Sequence, residues 1–139
     1  MKWVTWEQVG VDRMACAWLI RRFLDAEAEF LFVPKGAQPL PEGAEPFDLP
    51  GVRLSHRNGH CSFHTLLREF KVEEPALHKI ARIVDEADIV QEVLLEPAAT
   101  GLDMICEGIR FSSPDDLTAL ERGFVVFDAL YAFAKRSFQ

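Results

Sequence analysis

Along the chain, apolar positions fall first into short β-like runs and then into helical stripes. Trp3-Val4-Thr5 is a run of β-formers and predicts a first strand. Asp12 is a good helix cap, and Met14 to Phe23 continues without a breaker, predicting a helix to about Leu24. Glu29-Phe30-Leu31-Phe32-Val33, closed by Pro34, predicts a buried strand. A strand, a helix and a strand in this order are the signature of a βαβ unit with a right-handed crossover.

The pattern then dissolves. Five of the chain's eight prolines, with Gly36 and Gly43, lie between Pro34 and Pro50, a composition that excludes a helix or a central strand. Such a stretch is either a lid or a tolerated insertion, and the insertion is the commoner case. Phe47-Asp48-Leu49 and Val52-Arg53-Leu54 flank Pro50-Gly51 and predict a hairpin or a bent edge strand. Helical spacing takes over after Cys61. Ser62 caps a helix through about Phe70, Pro75 opens one through about Val90, and another covers Ala98 to Ile109. Ser113 as cap, Pro114 in the first turn and the early acids Asp115 and Asp116 then start a last helix that ends near Lys135-Arg136. The expected fold is α+β: one mainly helical domain over residues 1–139, with a small sheet built on the N-terminal βαβ unit.

Composition narrows the partners. With 15 Lys+Arg against 22 Asp+Glu the net charge is −7, which repels phosphate backbones and anionic lipid, so neither nucleic acid nor membrane is an expected partner. The longest apolar runs are a few residues, whereas a transmembrane helix needs about 20. Three cysteines without paired spacing make no disulfide framework, and Met1 to Glu7 lacks the features of a signal peptide. A reduced, cytoplasmic chain is the expectation.

Two carboxylates occupy helix positions that face a core. Leu77, Ala81, Val84 and Asp88 form one stripe of the helix begun at Pro75. Leu117, Phe124, Phe127 and Tyr131 form another, with Asp128 at its border. An inward carboxylate needs an arginine, a metal ion, or a helix that stops before it. His56-Arg57-Asn58-Gly59-His60-Cys61-Ser62-Phe63-His64 holds three of the four histidines and a cysteine. These are metal-ligand types, although the spacing matches no established zinc framework. Asn58-Gly59 is a turn dipeptide that lets His56 and His64 approach from its two sides. Cys16 lies one turn after Asp12. It is either a small buried hydrophobe or a thiol whose thiolate the helix dipole and Arg13 favour, and Cys61 has the same option. Cys106, among Met104, Ile105 and Ile109, reads as structural. Arg13 at a helix start is a candidate oxyanion contact, whereas Arg21 and Arg22 read as a solvated face.

Trp3-Val4-Thr5, Val11 through Asp25, Ala28 through Val33, Phe47-Asp48, His56, Cys61-Ser62-Phe63, Ala81 through Val84, Ala87-Asp88 and Val125 through Tyr131 together resemble the chromate-resistance protein family. That family includes the C-terminal portion of ChrB-type regulators, and the resemblance covers nearly the whole chain. It implies a role in chromate response or tolerance. In the full regulators DNA binding is ascribed to an additional N-terminal region with no counterpart here, so no repressor role carries over. The family is also labelled exported, against the N-terminus of this chain. Where the family typically has glutamate, this chain has His64. Both are metal ligands, so the position is either a retained site of altered preference or one that never bound metal.

The leading expectation is a metal or polar site from His56, His64 and Asp88, with Asp12 or Asp128 nearby. It would take one divalent ion, zinc or iron, and no nucleotide cofactor, since no glycine-rich fingerprint is present. Arg13, Cys16 and Cys61 would line its mouth toward a chromate-like dianion. A metal-free chromate or sulfate sensor acting through Arg13 is the alternative, and a non-catalytic interaction subunit is the third reading. Assembly into a homo-oligomer stays open.

Overall fold

The computed structural model describes residues 1–138. Strand β1 (Lys2–Trp6) leads into helix α1 (Val11–Leu19), whose last turns widen into a π-helical segment, Ile20–Leu24, before β2 (Glu29–Val33). β1 and β2 pair in parallel from Lys2 opposite Glu29 to Trp6 opposite Val33, as the βαβ reading requires. The proline-rich stretch contributes a third strand, β3 (Ala44–Pro46), which pairs in parallel with the other edge of β1. Sequence did not foresee it, but its place obeys the proline rule. The order is β2-β1-β3, so Pro46 sits on an edge, where a missing N–H is tolerated. The predicted hairpin around Pro50-Gly51 is reduced to one bridge, Phe47 to Leu54, with the Asp48 N–H donating to the Leu54 carbonyl at 2.7 Å.

Four further helices follow: α2 (Ser62–Glu69), α3 (Pro75–Asp88), α4 (Ala98–Ser112) and α5 (Asp116–Arg136). All four pack on α1. That explains its composition, because a helix surrounded by others is apolar all round, and from Met14 to Ile20 every residue is buried. Trp18 is the hub, its ring centroid 5.5 to 6.4 Å from those of Phe23, Phe63, Phe127 and Tyr131. On α3 the stripe of Leu77, Ala81 and Val84 is buried as expected, and the helix ends at Asp88 rather than Val90.

Three helix starts differ from their sequence readings. Gly10, not Asp12, is the cap of α1, and Asp12 is a buried residue of its first turn. Cys61 stands at the cap position of α2, with Ser62 the first helical residue. The last helix is capped by Asp115, which accepts from the Thr118 N–H at 2.8 Å, rather than by Ser113. The first two displacements have a common cause, given below. Among the described residues no helix is long and apolar enough to cross a membrane.

Candidate metal centre

A buried carboxylate has to satisfy several lone pairs, and Asp12 does so across the fold. It is 2% exposed. Its Oδ2 accepts from the Ser62 N–H at 2.8 Å and its Oδ1 from the Phe63 N–H at 3.0 Å. These are orphan amides of the first turn of α2, so the acid of one helix caps another, adding its charge to the positive end of the dipole. This is why neither Asp12 nor Ser62 caps its own helix.

Three more side chains gather on Asp12. His56 Nε2 lies 3.1 Å from Asp12 Oδ2, 3.0 Å from Asp88 Oδ2 and 3.7 Å from Asp48 Oδ1. Asp48 sits in the loop after β3, at a positive φ of 53° that aspartate tolerates better than most residues. It is tied by the Ser62 hydroxyl, which donates to Oδ1 at 2.6 Å, and by Arg13, whose Nε reaches Oδ2 at 3.0 Å and whose Nη2 reaches its carbonyl at 3.1 Å. Asp88 arrives as the last residue of α3. One imidazole nitrogen thus faces oxygens of three carboxylates, and ligand atoms of Asp12, Asp48 and His56 fall within 4.8 Å of one another. A cavity of about 400 Å³ opens beside them, lined by Trp6, Arg13, Pro50, His56 and Asp88 among others.

Three acids around one imidazolium and one guanidinium leave an excess of negative charge, and the titration behaviour reflects it. Burial pushes the Asp12 carboxyl up, but the His56 hydrogen bond and the two amides outweigh burial and hold it below the ordinary carboxylate range. Asp48 is then raised to about 8 by burial and by Asp12, and Asp88 to about 6 by the same two causes. His56 is raised to about 9, chiefly by its hydrogen bond to Asp12. Protons stand where a cation would neutralise the same groups.

The sequence-derived candidates separate into two sets. His56, Asp88 and Asp12 come together, with Arg13 beside them, and Asp48 joins them. Nothing in the periodicity marked Asp48; its signals are the place of Phe47-Asp48 among the residues of the family resemblance and an acid between the apolar Phe47 and Leu49 next to a Pro-Gly turn. His64 lies elsewhere, its ring stacked on His60 at 3.9 Å between centroids. Asp128 is at the far end of α1, forked onto Arg22 at 3.0 Å to both Nε and Nη2, and accepting from the Trp18 indole at 2.8 Å. The arginine partner weighed for this acid is the one the fold supplies. Asp128→Ala is therefore expected to cost about 1–2 kcal/mol, mostly for the orphaned indole N–H, in a denaturant titration, while leaving cation binding unchanged.

The thiols correct an expectation. Cys16 and Cys61 are fully buried. Burial and the charge of Asp12 push both well above an ordinary thiol, so neither offers thiolate. Cys16 instead donates to Asp12 Oδ1 at 3.6 Å. Cys106 is buried as read.

Residues 3–134 match the protein family described as ChrB, C-terminal domain. Over 131 residues the chain is 34% identical to the Protein ChrB of Cupriavidus metallidurans, an alignment covering 94% of this chain and 40% of that protein. The chain thus spans well under half the length of this relative. No solved structure matches it.

Proposed function

The chain belongs to the ChrB C-terminal domain family, and from that membership we propose that it is the ligand-receiving domain of a chromate-response protein, built around one divalent cation held by Asp12, Asp48, His56 and Asp88. The observation that carries this is the convergence of three carboxylate oxygens on His56 Nε2. An oxygen-dominated set with one imidazole and no thiolate suits manganese(II), or the borderline iron(II), better than a thiolate-seeking ion. When bound, such an ion supplies a Lewis-acid position open to an oxyanion or water.

The protein's own groups have distinct tasks. Asp12 stays charged because amides and imidazole hold it so. His56 and Asp48 carry protons that a cation would displace, Asp88, raised to about 6, is mostly ionised at neutral pH, and Arg13 orients Asp48. Metal-free capture of a dianion through Arg13 is disfavoured, because its guanidinium is already committed to Asp48 and three acids lie within reach of the same pocket. The dianion binds by way of the cation.

Elemental analysis and calorimetric titration with iron(II), manganese(II) and zinc on untagged protein test the reading. One equivalent is expected, with affinity reduced about tenfold or more by His56→Ala and by Asp88→Ala. Chromate or sulfate titration gives heat only when the cation is present. Cation binding untouched by both substitutions defeats the proposal. Anion binding that survives a chelator and disappears in Arg13→Ala establishes the metal-free sensor instead.

A further inference from the structure

Four residues beyond His56, His60 forms with Asp85 of α3 a second aspartate–histidine pair that the first site does not use. Asp85, one turn before Asp88 on α3, is 8% exposed. Its Oδ1 accepts from the Cys61 N–H at 2.7 Å and its Oδ2 from His60 Nδ1 at 2.8 Å. The carboxylate fixes the tautomer of His60 and turns Nε2 away as the free acceptor. A carboxylate behind an imidazole is the usual support of a metal-binding histidine. His64 follows at four residues' spacing. Its ring lies over that of His60 at 3.9 Å and 15°, and among the described residues it has no side-chain hydrogen bond. Beside His60 is a cavity of about 190 Å³ rimmed by His60, Arg82, Asp85, Glu86 and Glu96, with Glu96 paired to Lys79 and Arg82.

Two half-exposed imidazoles in contact, one braced by a buried acid, have no structural work to do as a pair: the cap on Cys61 needs only Asp85. We propose that His60 and His64 form a second metal site, for a borderline ion such as copper(II), nickel(II) or zinc, with Asp85 as the positioning residue. Stacked rings do not aim their nitrogens at a common point, so binding requires the His64 ring to turn toward that of His60, and no hydrogen bond to the ring resists the turn. The ligand chemistry differs from the first site: imidazole-rich here, oxygen-rich there. With Glu96 offset by Lys79 and Arg82, the remaining rim charge is that of Asp85 and Glu86, which favours a cation over an anion as occupant.

Copper(II) titration of the untagged chain, followed by calorimetry and electron paramagnetic resonance, tests it. A copper equivalent with the hyperfine pattern of two imidazole nitrogens is expected. His60→Gln and His64→Gln should each weaken it by about tenfold or more, and Asp85→Asn by about tenfold. His56→Ala should leave it unchanged, which separates this site from the first. Both histidines are partly exposed, so far-UV circular dichroism of the variants should match the parent. The absence of a two-nitrogen copper signal, or a signal that persists with unaltered affinity in both histidine variants, overturns the proposal.

Discussion

Asp12→Ala is expected to remove about 3–5 kcal/mol of folding stability, the range seen when one partner of a buried charged network is deleted, and to abolish cation binding. Three losses coincide. The Ser62 and Phe63 amides become buried donors without acceptors. The start of α2 loses the negative charge opposing its dipole. His56, Asp48 and Asp88 lose the group around which they are arranged. Urea unfolding at fixed pH reads the first two, and metal titration the third. Asp12→Asn separates them, because an amide keeps the shape and one acceptor but not the charge. It should be less destabilised than the alanine variant and equally unable to bind metal. An alanine variant as stable as the parent removes the capping role.

The second large effect is that of pH on the cation and on the metal-free protein, with opposite signs. Bound metal needs deprotonated ligands. His56, at about 9, and Asp48, at about 8, both hold protons at neutral pH. Binding therefore displaces one to two protons, and apparent affinity should rise by about one to two orders of magnitude per pH unit between pH 6 and 8, levelling above pH 9. Calorimetry in buffers of different ionisation enthalpy counts the protons. For the metal-free protein, both folded-state values lie above those of the unfolded chain, so the native state binds the extra protons. The stability from His56 is complete below about 6.5 and lost as pH rises through 9, and that from Asp48 is lost as pH rises through 8. Asp12, held below its ordinary value, acts oppositely, and its stabilisation is lost only as pH falls below the carboxylate range. Thermal melts of chelated protein should therefore peak at mildly acidic pH and fall toward pH 9. Added metal should restore most at the alkaline end. A melting temperature that is flat or rising between pH 6.5 and 9 without metal contradicts the proton occupancy of the site.

How much of this was legible depends on the range of the interaction. The βαβ unit and the five helices follow from local signals: β-branched and aromatic runs, an unbroken apolar α1, prolines at Pro34 and Pro75. The inward aim of Asp88 followed from its seven-residue distance from Ala81, and Asp85, four residues after Ala81, obeys the same arithmetic. The histidine cluster announced itself by crowding. Asp128 illustrates the limit in the other direction, since a helical stripe placed it at a core border but could not say that Arg22 and Trp18 would claim it.

By itself, then, the sequence determined which segments are helical or extended, which faces are apolar, and that charged and metal-ligating side chains would be embedded among them. Those properties depend on neighbours within a turn or two of the chain. Only the tertiary structure decided that Asp12 caps α2 instead of α1, that Asp48 enters from a loop to join His56 and Asp88, that His64 parts from His56 to stack on His60, and that the two thiols are sealed as neutral donors. Each of these depends on groups brought together from distant parts of the chain, where burial and charge act through space and leave no periodicity to read.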